Sequence, residues 1–460
     1  MNFSSLTFLY FFFPITILLF LIINRFLPKM VNLYLLIISI IFYLWNNLNV
    51  GIIFFLICSL IYIVGHLIFK YKSKTLLIIS VLALIILLIY FKYVDFSIGI
   101  INKVLHQEID LLYLTIPLGM SFAIFESISY LIDVYKGNDK GTYIDVMLFL
   151  MFFPKISEGP IVTWNVFNDQ LKKRNASFDK VTYGIERIII GLAKKVIIAD
   201  ILGKAVNIVV SSYTNVDSVT LALTMLCYMI ELYFDFSGYS DMAIGISKIF
   251  GFDFAENFNY PYLSLSITEF WQRWHISLGN FFKKYLYIPL GGNRKHVYLN
   301  LFIVFLVSGI WHGNGLGYLT WGGLIGICVC IERYIKNKNW YKKVPRCIKW
   351  FITMIIIYFS WIVFMMPSLS ASINYVKIMF SFKRSIDVPF TYKYYFDKQI
   401  TFTLIIGIIG SILDIDKLKT FINENKIMTI IKYLFLFVLF LMSIIYVVNS
   451  TYSPFLYFRF

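Results

Sequence analysis

The sequence predicts an all-α integral membrane protein with about eleven transmembrane helices plus re-entrant segments, and three observations carry that prediction. First, 14% of its residues are charged and 59% are hydrophobic, whereas a soluble domain runs nearer about a quarter charged. Second, apolar runs long enough to cross a hydrocarbon layer recur along the whole chain. They include Leu6–Leu21, Gly51–Phe69, Thr75–Tyr90, Trp350–Met366 and Ile430–Val448. Third, the cations stand in short clusters between those runs, at Lys70–Lys74, Lys172–Arg174, Lys336–Lys349 and Lys417–Lys426. That spacing reads as topology marking by the positive-inside rule, so the net charge of +16 does not point to nucleic acid.

Placing the basic clusters on the cytoplasmic side orders the elements. The first run has no basic stretch before it and no small-residue cleavage site after it, so it reads as a span, ending at Arg25 and Lys29 inside. Asn46–Asn49 then lies outside, Lys70–Lys74 inside, Tyr93–Leu111 outside and Lys136–Lys140 inside. Spans over about 183–210 and 217–237 leave and return around Ser211–Ser218. Trp350–Met366 exits, Thr401–Leu413 returns, and Ile430–Val448 exits again, leaving the tail 449–460 outside. No Pro/Ser/Gly-rich linker or internal repeat interrupts the chain, so residues 1–460 read as one multi-pass domain. The five cysteines are scattered, with no disulfide or zinc pattern.

Two stretches break the simple pattern. Tyr143–Trp164 contains Phe152-Phe153-Pro154-Lys155-Ile156-Ser157-Glu158-Gly159-Pro160, and basic residues flank it at both ends. In Leu299–Glu332 the apolar piece Leu301–Trp311 is too short to cross alone. It is followed by His312-Gly313-Asn314-Gly315 and a second apolar piece, Leu316–Ile331. Irregular backbone at membrane depth needs protein or water to shelter it, so a broken hairpin with a histidine in its turn is a candidate site. Two ordinary short helices joined by an interfacial loop are the plain alternative.

An ionisable group inside a bilayer costs roughly 2.5–3.5 kcal/mol on insertion scales, which makes His312 a functional candidate. A neutral imidazole accepts a proton from a hydroxyl near neutral pH without a large pKa shift. Gly313 and Gly315 permit close approach, and Trp311 offers a flat wall. His275 is the second candidate, within Glu269-Phe270-Trp271-Gln272-Arg273-Trp274-His275-Ile276-Ser277-Leu278. The segment continues through Lys283 and Lys284 to Tyr287-Ile288-Pro289-Leu290-Gly291-Gly292-Asn293-Arg294. A membrane-surface helix with aromatic anchors accounts for part of this block.

Phe270–Arg294 and Ser308–Gly323 together resemble the two signature blocks of the membrane-bound O-acyltransferase (MBOAT) family, in its alginate O-acetylase membrane-subunit branch. Phe122–Gly137, Phe152–Pro160 and Tyr233-Phe234-Asp235-Phe236-Ser237-Gly238-Tyr239-Ser240-Asp241 resemble it as well, in the expected order. The resemblance covers a core of about 112–330. It implies helices in a ring around a central funnel, and a tunnel where a cytosolic acyl donor meets an acceptor on the far side. It implies His312 as the catalytic histidine and places His275 in the site without a settled role. It further implies a multi-pass protein of the cell membrane, surrounded by lipid, that O-acylates an extracytoplasmic polysaccharide.

On that reading the donor is acetyl-CoA or another acyl thioester, with no bound cofactor and no metal. An extracytoplasmic SGNH-type esterase or acyltransferase is the implied partner, because the loops are too short to grip a glycan. Asn314, the Trp311 indole N–H or a backbone N–H of the turn would steady the developing oxyanion. Arg273, Lys283 and Lys284 are candidates for donor phosphates; contact with lipid headgroups is the alternative. Trp274 and Asp235 are candidates for the tunnel. Tyr457, in the tail Ser453–Phe460, resembles the acyl-carrying tyrosine of the small subunit in the D-alanylation system. It reads either as an acyl relay or as a docking residue; plain anchoring at the headgroups is the alternative.

Glu126 and Glu158 depart from the family's usual residues. They are either paired carboxylates or a sign of a cationic acyl group such as D-alanyl, the teichoic-acid branch. A transporter or flippase also uses broken helices, and a purely structural subunit of an export complex is a third class.

Overall fold

The computed structural model describes residues 2–45, 47–114, 117, 119–384, 388–413, 425–449 and 455. Among them the chain runs from helix to helix with no strand. Seven helical segments are long and apolar enough to cross a membrane: Phe8–Phe26, Leu48–Tyr71, Lys74–Leu105, Ser218–Ile249, Leu316–Ile335, Arg346–Met365 and Lys426–Asn449. Three shorter apolar helices accompany them, at Pro28–Leu44, Val297–His312 and Lys398–Ile412. The chain is a multi-pass membrane protein. It divides into two compact units, Met1–Ile188 with Ser240–Ala255, and Ile189–Tyr239 with Glu256–Phe460.

The first unit carries α1 (Phe13–Phe26), α2 (Val31–Leu44), α3 (Leu48–Tyr71), α4 (Lys74–Leu105), α5 (Met120–Tyr135), α6 (Tyr143–Met151), α7 (Trp164–Lys173) and most of α8 (Phe178–Ala193). The starts of α3 and α4 are set by Asn47 and Ser73. Their side chains accept from Val50 N–H (3.1 Å) and Leu76 N–H (3.2 Å), satisfying otherwise orphaned donors. α4 continues well past the apolar run seen in the sequence, through Tyr93 to Leu105, where His106 turns left-handed (φ 50°). No glycine or proline strong enough to stop it stands earlier, so much of the stretch read as an external loop is helix.

Tyr143–Trp164 also resolves. Thr142 and Asp145 form a reciprocal capping box at the start of α6. From Val146 onward α6 is buried on every face, and Pro154 lies in the short turn Phe153–Lys155 that follows. Lys155 in that turn is itself buried. It pairs with Glu126 of α5, and the Phe149 and Phe167 rings lie 4.6 and 5.7 Å from its ammonium. Glu126 is thus a paired structural carboxylate, which removes one motive for a cationic acyl group.

The second unit holds α9 (Asp200–Ser211), much of α10 (Ser218–Ile249), α11 (Ile267–Arg273), α12 (Ile276–Phe282), α13 (Val297–His312), α14 (Leu316–Ile335), α15 (Arg346–Met365), α16 (Leu369–Met379), α17 (Lys398–Ile412) and α18 (Lys426–Asn449). The region expected as one span over about 183–210 is helical throughout, α8 running into α9 through a π-helical turn at Lys194–Ala199. α13 and α14 form the hairpin expected from the broken apolar pattern. Glycines set its closeness: a Cβ on Gly309 would run into the Tyr318 carbonyl and stand 3.1 Å from Gly322 Cα. Nearly bare backbones therefore pack against each other, as small residues allow between membrane helices.

Candidate functional site

His312 is the last residue of α13, and Gly313 leaves the helix in an extended conformation (φ −167°). The turn therefore hands the chain to α14 directly after the imidazole. His312 is 5% exposed and sits among rings. Its centroid lies 4.7 Å from Trp311, 5.3 Å from Trp321 of α14 and 5.3 Å from Phe364 of α15. With Leu232, Trp271, Trp274 and Trp361, the residues His312, Trp321 and Phe364 line a small cavity of about 10 Å³. That is room for roughly one water or one methyl group.

The cavity wall is braced by its own indoles. Trp321 and Trp361 stack at 6.0 Å, Trp271 meets Trp321 edge-on at 5.5 Å, and Trp274 lies 5.1 Å from Trp361. Trp271 stands in the last turn of α11, and Trp274, the extended residue that ends that helix, reaches the same wall. No carboxylate among the described residues lines the cavity.

His275 does not line it. It caps the start of α12 with a left-handed backbone (φ 46°) and is 3% exposed. That conformation costs a non-glycine residue about 1–3 kcal/mol and persists where surroundings fix it. Asn257 does the fixing. Its carbonyl oxygen accepts from Ile276 N–H at 2.9 Å, and its side-chain oxygen accepts from Ser277 N–H (3.2 Å) and Ser277 Oγ–H (2.9 Å). The same Oδ1 stands 3.1 Å from His275 Nδ1. An amide oxygen only accepts, so Nδ1 carries the proton and Nε2 the basic lone pair. His275 lies outside the spanning helices, and burial pushes its pKa down to about 3, keeping it neutral. Its ring is 6.3 Å from Trp311, which places it beside the residue that precedes His312.

Residues 142–375 match the membrane-bound O-acyltransferase family, MBOAT. The chain is 38% identical over 398 residues to the probable alginate O-acetylase AlgI of Pseudomonas aeruginosa, spanning 83% of this chain and 75% of that protein. To the peptidoglycan O-acetyltransferase of Helicobacter pylori it is 32% identical over 426 residues, 82% of this chain and 79% of the relative. To the teichoic acid D-alanyltransferase of Bacillus subtilis it is 29% identical over 266 residues, 54% of this chain and 67% of the relative. The chain belongs to the MBOAT family. It is an O-acyltransferase of the AlgI-like branch, the one that the Phe270–Arg294 and Ser308–Gly323 blocks resemble.

Within this MBOAT chain the structure brings His312 and Trp274 to one cavity, with Trp311 and His275 next to them. Three other expected residues are placed elsewhere. Asn314 is exposed and does not line the cavity. Arg273 forms an i,i+4 ion pair with Glu269 at 2.9 Å and donates to the Asn259 carbonyl at 3.1 Å. Asp235 pairs with buried Lys195 at 2.7 Å, and Lys195 also meets Asp200 at 2.8 Å. Tyr457 lies outside the described residues. Phe455, two residues before it, is wholly buried, with its ring 5.0 Å from Tyr239 and the Lys195 ammonium 4.6 Å from its centroid.

Sequence reasoning missed Leu232, Trp271, Trp321, Trp361, Phe364 and Asn257. Trp271 carried a signal, standing in the same aromatic block as Trp274. Trp361 and Phe364 carried none, since they sit inside an ordinary apolar run.

Proposed function

We propose that this O-acyltransferase takes an acyl group, acetyl in the first instance, from a cytosolic thioester such as acetyl-CoA and passes it across the membrane for O-acylation of an extracytoplasmic polysaccharide. The observation that carries this reading is His312 standing in an aromatic cavity with room for a methyl group. The names of the relatives, an alginate O-acetylase and a peptidoglycan O-acetyltransferase, support a glycan as the final acceptor.

His312 is the general base. It takes the proton of an acceptor hydroxyl as the oxygen attacks the thioester carbonyl carbon. The tetrahedral intermediate then collapses, the C–S bond breaks, and the departing thiolate recovers the proton from the imidazolium. Apolar walls exclude water, which protects the thioester from hydrolysis. His275, neutral and held by Asn257, braces Trp311 and so the position of His312. An SGNH-type partner outside the membrane completes delivery to the polymer.

D-alanyl transfer is the second reading, favoured by the similarity to the Bacillus subtilis enzyme. The size of the cavity and its lack of a carboxylate support acetyl instead. The test is acylation of envelope polysaccharide, read as base-labile acetate, in cells carrying His312→Ala or His312→Gln at normal membrane abundance. Loss of acetate in both is expected. Wild-type acetate in a well-expressed His312→Ala strain overturns the proposal, and a transporter or structural subunit would give that result.

A further inference from the structure

We propose that the indole N–H groups of Trp271 and Trp321 are the donors that stabilise the oxyanion in this reaction, a role that rests on the acyl-transfer function given above. Two donors considered from sequence, Asn314 and Trp311, are absent from the cavity wall, and Asn314 is exposed. Trp321 is 1% exposed, and its Nε1 is buried without a hydrogen-bond acceptor among the described residues. Trp271 Nε1 is buried in the same condition. Buried polar groups in native proteins are overwhelmingly paired, and an orphan that persists calls for a reason.

Both rings line the one cavity that His312 lines. Trp321 stands edge-on to His312 at 5.3 Å (85°), and Trp271 stands edge-on to Trp321 at 5.5 Å (81°). The rings of a base and of two unsatisfied donors thus line one small space, and acyl transfer requires a base and such donors about its reacting centre. When the acceptor oxygen bonds to the thioester carbon, the carbonyl π electrons move onto oxygen. The two N–H groups receive that charge while His312 holds the acceptor's proton. The C=O re-forms as the C–S bond breaks and the thiolate takes the proton back. In a water-excluded site, fixed donors hold such charge without reorganising. Indoles suit the task because they have no acidic proton to lose and, packed edge-on to one another, little freedom to turn away.

The decisive substitution removes the N–H and keeps the shape: β-(3-benzothienyl)alanine, which carries sulfur in place of the indole nitrogen, introduced at position 321 and separately at 271. The ordinary variants Trp321→Phe and Trp271→Phe accompany them. Membranes containing the full chain are given acetyl-CoA and the rates of acetyl transfer are compared. A fall of about 10²–10³-fold in kcat for each benzothienyl protein is expected, with donor KM and melting temperature unchanged. Wild-type rates in both benzothienyl proteins overturn the inference and leave the proposed function standing, even if the Phe variants are inactive through loss of packing. Membranes of the wild-type protein that transfer no acetyl group overturn the function and the inference together.

Discussion

His312 and Trp321 face each other across the α13–α14 hairpin, ring edge to ring face at 5.3 Å. The relationship follows from the backbones below it. Gly309 and Gly322 let the two helices touch, so the last residue of one arm meets the second turn of the other. The same closeness keeps the cavity small.

Leu232 is the one aliphatic side chain among the described residues of the cavity wall, so Leu232→Ala enlarges it while leaving the indole stack in place. One methylene in a tight pocket is discriminated by roughly 10–200-fold. The wild type is expected to prefer acetyl over propionyl within that range, and Leu232→Ala to narrow the preference at least several-fold. Acetate and propionate released by mild base from polymer of cells fed propionate give the ratio.

The buried Lys155–Glu126 pair gives a stability prediction. Lys155→Ala leaves an uncompensated buried carboxylate and is expected to destabilise by about 3–5 kcal/mol. The double variant Lys155→Met with Glu126→Leu removes both charges and is expected to recover most of the loss. Thermal unfolding in detergent of the two single variants and the double variant measures the coupling. Strictly additive losses would contradict the ion pair.

His275 gives a pH dependence. Its folded pKa is depressed from 6.5 to about 3, so the unfolded chain binds more protons across that interval. Its contribution to stability is therefore complete above about pH 6.5 and is lost as pH falls toward 3. His275→Gln keeps a donor for Asn257 and does not titrate. The melting temperature of the variant is expected to drop less than that of the wild type between pH 7 and about pH 4.5. An equal drop in both proteins would assign the acid sensitivity to other groups.

Tyr457 stands two residues from Phe455, whose ring is seated on Tyr239 and Lys195. A phenol ester is a more activated carrier than an alkyl ester, although a phenol with a pKa near about 10 needs a base such as His312. Tyr457→Phe keeps the aromatic ring and removes the hydroxyl, and Tyr457→Ala removes both. Loss of acylation in both is expected of a relay. Normal acylation by Tyr457→Phe would reduce the tail to docking or anchoring.

Composition and run length by themselves determined the membrane class and the hairpin around His312, and residue order carried the resemblance of the two blocks to the MBOAT family. These are local properties: apolar length, a glycine-rich break and residue order along one segment. Tertiary structure decided the rest, because the site is assembled from segments far apart in sequence. Leu232 comes from α10, Trp271 and Trp274 from α11, His312 and Trp321 from the hairpin, and Trp361 and Phe364 from α15. Inside an apolar span a tryptophan that walls a site and one that faces lipid read alike, since both satisfy the same hydropathy. Pairing decided the charged residues in the same way. In the sequence Glu126 read as a departure from the family's usual residues and Asp235 as a tunnel candidate, and only the fold supplied Lys155 and Lys195 as their partners.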